Sequence, residues 1–213
     1  MESSEQASIY PFHIRLINKI AKKCTNTYWT ILDILAYHFL PLSKYIYQNN
    51  IKREYDKEHH KIQLTNQDTI LHIGCGIYPY SAIRVSKEVD ARIIAIDNNK
   101  NVIEYAQKII QKRKLNTKIK IKKAEGSTYN LSSFSVIISS SCVDSSVDVL
   151  QNIIKNAQPG TRIIVRELQP MSKYLKEFIE RQESLVLENQ YTTYTFPFYT
   201  FLGWDSFILK KTK

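Results

Sequence analysis

The chain has 213 residues, 43% of them hydrophobic, and a formal net charge of +10 at pH 7. This supplies apolar material for one ordinary packed domain with a decorated end and excludes wholesale disorder. Three cysteines, at 24, 75 and 142, are too few and too scattered for a disulfide framework and lack the paired spacing of a zinc site. A reducing, cytoplasmic setting with no bound metal is expected.

The positive charge fits nucleic acid, an acidic membrane surface or anionic substrates, and equally a lysine-rich bias of the whole proteome. Met1 to Ala7 are polar and acidic, so no secretory signal is expected. The longest apolar stretch, Tyr28 to Leu40, carries Asp33 and His38 and stops at Pro41. It is too short and too polar to span a bilayer.

From Ser8 to Lys61 the pattern is helical. Ile9, Phe12, Leu16, Ile17 and Ile20 recur at helical spacing. A second helix is expected from Asn26, as N-cap, to Leu40, and a third, polar one from Asn50 to His60. After Asn66-Gln67-Asp68 short apolar runs alternate with amphipathic stretches, which predicts an α/β sheet. Strands are expected at Thr69–Ile73, Ala91–Ile96, Thr117–Lys122, Ser135–Ser139 and Thr161–Val165, and a closing pair at Leu185–Thr195 and Trp204–Lys210. Helices fill the intervals Pro79–Val89, Lys100–Lys114, Val143–Ala157 and Met171–Gln182. The expected fold is a doubly wound, seven-stranded, mostly parallel α/β sheet under an N-terminal helical cap, divided as 1–65 and 66–213.

The five glycines, at 74, 76, 126, 160 and 203, all fall at predicted junctions. Two of them, in Gly74-Cys75-Gly76, follow the first strand, where a doubly wound sheet has its ligand crevice. Asp97 ends the second strand, about twenty residues beyond Gly76, where a carboxylate accepts ribose hydroxyls. It could also cap the following helix, as Asn98 or Asn99 could. Lys123-Ala-Glu-Gly-Ser127 follows the third strand, and Ser135-Val-Ile-Ile-Ser-Ser-Ser-Cys142 forms the fourth and its exit.

The segment Ile70–Ile83, with Asp97 and the Glu125-Gly126 loop, resembles the motif set of class I S-adenosylmethionine-dependent methyltransferases. The resemblance covers roughly Thr69 to Lys210. It implies S-adenosylmethionine as cofactor, held by Gly74, Cys75, Gly76, Asp97, Asn98, Glu125, Gly126 and Ser139. An Asn/Asp-Pro-Pro-aromatic motif is absent, which argues against a nucleobase amine as acceptor. A dinucleotide fingerprint would need a third glycine where Pro79 stands. Within the superfamily, Gly74-x-Gly76-x-x-Pro79-x-x-x-Ile83 looks like the branch that includes nicotianamine synthase, as does the stretch Gln151–Arg166. Those enzymes transfer the aminocarboxypropyl arm of the cofactor. Their Pro-Tyr-Tyr-x-Asn-Tyr segment is matched loosely by Tyr45-Ile-Tyr47-Gln-Asn-Asn50, which leaves the acceptor side open.

The expectation is therefore a methyltransferase acting on a small-molecule acceptor. The alternatives are an aminocarboxypropyl transferase releasing methylthioadenosine and, less favoured, an RNA-directed methyltransferase. Candidates for the acceptor wall are Tyr45, Tyr47, Glu54, Tyr55, Tyr78 and Tyr80. Tyr78 and Tyr80 flank the glycine turn, where aromatic faces favour a sulfonium cation. Tyr78, Tyr80 and Glu54 are the candidate catalytic positions. Glu58-His59-His60 reads as a solvated helix end, His72 as a satisfied core histidine, and Cys75 as a space requirement. The eight basic residues from Lys108 to Lys123 include no interleaved aromatic and read as a solvated face with a charge-protected edge strand.

Overall fold

The computed structural model describes residues 9–39, 41, 45, 47, 51–194 and 203–213. Two helices come first, α1 at Phe12–His38 and α2 at Lys52–Ile62. Then follow β1 (Thr69–Ile73), α3 (Tyr80–Glu88), β2 (Arg92–Asp97), α4 (Lys100–Lys112), β3 (Ile119–Lys123) and β4 (Val136–Ser139). The chain continues through α5 (Ser146–Asn156), β5 (Arg162–Leu168), α6 (Gln169–Glu180), β6 (Leu185–Thr193) and β7 (Trp204–Lys211).

The strands form one seven-stranded sheet in the order β3-β2-β1-β4-β5-β7-β6. β1 to β5 are mutually parallel, and β7 runs antiparallel to both β5 and β6. The central strands are covered on both faces and accordingly read as Ile and Val runs. Ile70, Ile93, Ile138 and Ile164 pack on one face against α2, α3 and α4. Leu71, Ile94, Ile137 and Ile163 pack on the other against α5 and α6. The strand order reverses between β1 and β4, so the crevice opens beyond their carboxyl ends.

Helix α1 crosses this edge. Its Ala21 belongs to the α5/α6 core and its Ala36 to the opposite one, so it roofs the crevice. The sequence suggested two helices with Asn26 as an N-cap, but there is one of 27 residues capped by Pro11. No glycine or proline interrupts residues 12–38, and Asn26 has another use. Its side-chain amide donates to the Cys142 carbonyl (3.3 Å), while Lys22 donates to the Val143 carbonyl (2.6 Å). The helix ends at His38 with Phe39 extended, ahead of Pro41. The expected ends at Leu40, Asn50 and Thr195 lie outside the described residues, as does most of Tyr45–Asn50. Strand β5 runs beyond the expected Val165 to Leu168, which draws Arg166 and Glu167 into the interior. β3 is an edge strand bearing Lys120, Lys122 and Lys123. Among the described residues, no helix is long and apolar enough to cross a membrane.

Candidate active site

The turn after β1 is built for close approach. Gly74 and Gly76 take φ values of +73° and +68°, and the Gly74 and Cys75 amides both donate to the Ile96 carbonyl of β2 (2.9 and 3.0 Å). A Cβ on Gly74 would stand 2.8 Å from Val143 Cγ1, and one on Gly76 3.3 Å from Asp33 Oδ2. Side chains are excluded here by both conformation and space. Cys75 is buried, and burial pushes its thiol well above its ordinary pKa, so it fills space as a neutral group.

Asp97 is aimed at this turn. Its carboxylate accepts from the Gly76 amide (3.2 Å) and the Asn99 amide (3.1 Å), while burial raises its pKa. The N-cap of α4 is Asn99, whose side chain accepts from the Asn101 amide, so Asp97 remains directed to the crevice. Asn98 donates to Glu125 Oε2 (3.1 Å), and Asn152 fixes the β3 exit loop by donating to the Gly126 and Tyr129 carbonyls (2.8 and 2.9 Å). A Cβ on Gly126 would stand only 2.4 Å from Ile73 Cγ2, so this loop lies flat on β1.

A single cleft of about 620 Å³ runs from this half to a second one under α1 and α2. Its size suits a cofactor with a small acceptor. In the second half, the Tyr47 ring stacks on Tyr78 at 4.7 Å and on Tyr80 at 4.8 Å. The Tyr47 hydroxyl and the Tyr78 amide (3.0 Å) both donate to the Asp33 carboxylate. Burial pushes Asp33 up to about 7, although hydrogen bonds from Tyr47, Tyr78 and Ile77 pull it down. Tyr55 and Tyr80 are pushed up to about 12, chiefly by burial.

Arg166 forms the floor of this half. Its Nε lies 3.1 Å from both Glu58 oxygens, and its guanidinium lies 4.1 Å from the Tyr55 ring centre. Burial opposes its charge, but Glu58 and Tyr55 outweigh that and keep it protonated. Three buried nitrogens on the cleft wall have no partner among the described residues: Arg166 Nη1, Trp204 Nε1 and His72 Nδ1. His72 Nε2 meets Ser140 Oγ at 3.0 Å, so the histidine is only half satisfied rather than fully so. Burial, with Arg166 and His59, pushes its pKa down to about 3, which makes it neutral.

Residues 64–199 match the model of a methyltransferase domain family. The chain belongs to that family. No curated protein matches it in sequence. Among solved structures, a point mutant of MtNAS in complex with S-adenosylmethionine is 14% identical, covering 92% of this chain and 78% of its own at a TM-score of 0.71. MtNAS in complex with MTA and tNA is 16% identical, covering 94% of this chain and 76% of its own, also at 0.71. The [4+2]-cyclase SpnF is 12% identical, covering 76% of this chain and 81% of its own at 0.60. At such identities these likenesses establish the fold.

In this methyltransferase domain Gly74, Cys75, Gly76, Asp97, Asn98, Glu125 and Gly126 converge on one cleft with Tyr78 and Tyr80. Three expected residues do not line it, and one of them, Tyr45, is exposed. Ser139 is buried on the Ile137 face of β4, and the following Ser140 lines the cleft instead. Glu54 pairs with Lys57 (2.9 Å) and Arg53 (3.1 Å) outside the cleft, and Glu58, one turn on, faces inward. The solvated-end reading of Glu58 and His59 is corrected likewise. They are 1% and 2% exposed, and His59 Nδ1 lies 2.9 Å from Glu88 Oε2. Sequence reasoning did not select Asp33, Arg166 or Trp204 for the site. The first two carried a signal, as charges set inside apolar runs.

The wall fits S-adenosylmethionine on its own chemistry. Asp97 and Glu125 offer acceptors for ribose hydroxyls and the adenine amine, the glycines admit a close backbone, and stacked tyrosines suit a cation.

Proposed function

We propose that the protein alkylates the amine of a small carboxylate-bearing acceptor, by methyl transfer. S-adenosylmethionine is the cofactor. When bound, it supplies an electrophilic carbon on a sulfonium. Asp97, Asn98 and Glu125 would hold its nucleoside, and the Gly74–Gly76 turn its amino-acid end.

The observation that carries the acceptor reading is Asp33, a buried carboxylate with a pKa near 7, held between Tyr47 and the Tyr78 amide in the same cleft. A base matched to neutral pH takes the proton from an ammonium group and frees the nitrogen lone pair. The tyrosines exclude water and hold the amine in line. Arg166 Nη1 and Trp204 Nε1 are donors without partners among the described residues on the same wall, and a carboxylate on the acceptor would satisfy both.

A second reading, aminocarboxypropyl transfer, has its own support. The MtNAS structures cover 92% and 94% of this chain, helical cap included, whereas SpnF covers 76%. The MtNAS structure with MTA and tNA bound makes that chemistry a direct candidate.

Incubating the protein with S-adenosylmethionine and a panel of amino acids, matched against their decarboxylated amines, tests both. Formation of S-adenosylhomocysteine with amino acids alone supports methyl transfer to a carboxylate-bearing amine. Methylthioadenosine as the by-product selects the second reading. Turnover with decarboxylated amines as fast as with amino acids would remove the carboxylate from the proposal.

A further inference from the structure

Helix α1 is amphipathic in the reverse sense. Its inward face carries Asn18, Lys22, Thr25 and Asp33, all buried. Lys22 and Asp33 have fixed work there, on the Val143 carbonyl and the Tyr78 amide. Its outward face carries Phe12 (76% exposed), Leu16 (55%), Ile20 (52%), Ile31 (53%) and Leu35 (47%). Folding the monomer therefore buries the polar side of the helix and leaves its apolar side bare. That arrangement costs stability unless something covers it.

We infer that this face is where two copies of the chain join. Ile17, Ile20, Cys24, Thr27 and Ile31 follow each other at alternating steps of three and four, the spacing of a seam between paired helices. The 27 residues make a rod about 40 Å long, enough for several layers of side chains. Exposed at roughly 100 Å² apiece, its large apolar side chains and Phe39 present about 700 Å² per copy, against a usual monomer limit of about 300–600 Å². Two such faces bury about 1,400 Å², within the range of about 1,200–2,000 Å² for specific interfaces. An anionic membrane surface is the competing occupant.

Light scattering of the full-length chain during size exclusion tests this, with Ile20→Glu/Ile31→Glu as the comparison. The unmodified chain is expected at twice 24.9 kDa and the double variant at 24.9 kDa. The variant should still bind S-adenosylmethionine, since neither residue lines the cleft. Cys24, the exposed cysteine of the three, gives a second readout. Maleimide labelling, located by peptide mass spectrometry, should be at least about tenfold slower at Cys24 in the unmodified chain than in the variant. A monomeric unmodified chain at about 50 µM would overturn the inference. So would a variant that remains dimeric, equal labelling of Cys24, or flotation of the monomer with anionic vesicles.

Discussion

Replacing Asp33 by asparagine separates its proton from its hydrogen bonds. The asparagine side-chain oxygen can still accept from the Tyr78 amide while its NH2 donates to the Tyr47 hydroxyl, but the group cannot ionise. In the folded protein the carboxyl holds its proton to about pH 7, against 3.8 in a free chain. At about 1.36 kcal/mol per pH unit, that difference costs the folded state about 4 kcal/mol once both states are ionised. The folded group has the higher pKa, so its contribution is fully favourable below about pH 4 and is lost as pH rises to about 7. Urea denaturation of both proteins between about pH 4 and 8 should show the curves diverging by up to about 4 kcal/mol, with the asparagine variant gaining at the alkaline end. The depressed pKa of His72 acts in the opposite direction but in both proteins alike, so it cancels in the difference. Parallel curves would refute the buried, near-neutral carboxyl and with it the proposed base. Turnover should fall in the variant while cofactor affinity stays within about twofold.

Asp97→Ala should weaken S-adenosylmethionine binding by about tenfold or more, or about 1.4 kcal/mol, by isothermal titration. An unchanged isotherm removes Asp97 from the site. Gly126→Ala places a methyl 2.4 Å from Ile73 Cγ2 and should cost about 1–3 kcal/mol, read as a lowered Tm; a wild-type Tm would mean the loop lifts freely off β1. Glu58→Ala strands the buried Arg166 charge and should cost about 3–5 kcal/mol. Glu54→Ala, on the same helix, should cost no more than about 1 kcal/mol, and similar losses for the two would contradict the assignment of Glu58 as the inward residue.

The sheet and the glycine-turn half of the cleft were readable because their determinants are local. A buried parallel strand announces itself as an isoleucine run, and a chain with few glycines spends them where φ is positive or space is short. Gly74, Gly76 and Gly126 each meet one of those needs, and Asp97 follows from its place at a strand end. The acceptor half was not readable in this way. Glu58 and Arg166 are 108 positions apart, and neither alone points to the other as its partner. Helix α2 has three acids at short spacing, and only the partner across the fold decides that Glu58 turns inward while Glu54 does not. Asn26 misled for a related reason. Asparagine favours helix caps through local hydrogen bonds, but here its amide is taken by Cys142, far away in sequence. Asp33 was visible as a lone carboxylate in an apolar stretch and was weighed only as an obstacle to membrane insertion.

The roofing of the crevice by α1 bears on how the protein could be divided. A cut between 65 and 66 follows the change in sequence texture, yet catalysis as proposed would not survive it. The shorter piece would carry away Asp33 and Glu58, and the longer would keep the glycine turn, Asp97 and an Arg166 with no counter-charge. The two pieces would then have to find each other before either half of the cleft could be used. In evolution, such a helical segment could be exchanged to change the acceptor while the nucleoside grip stayed as it was, provided each replacement brought its own acid for Arg166.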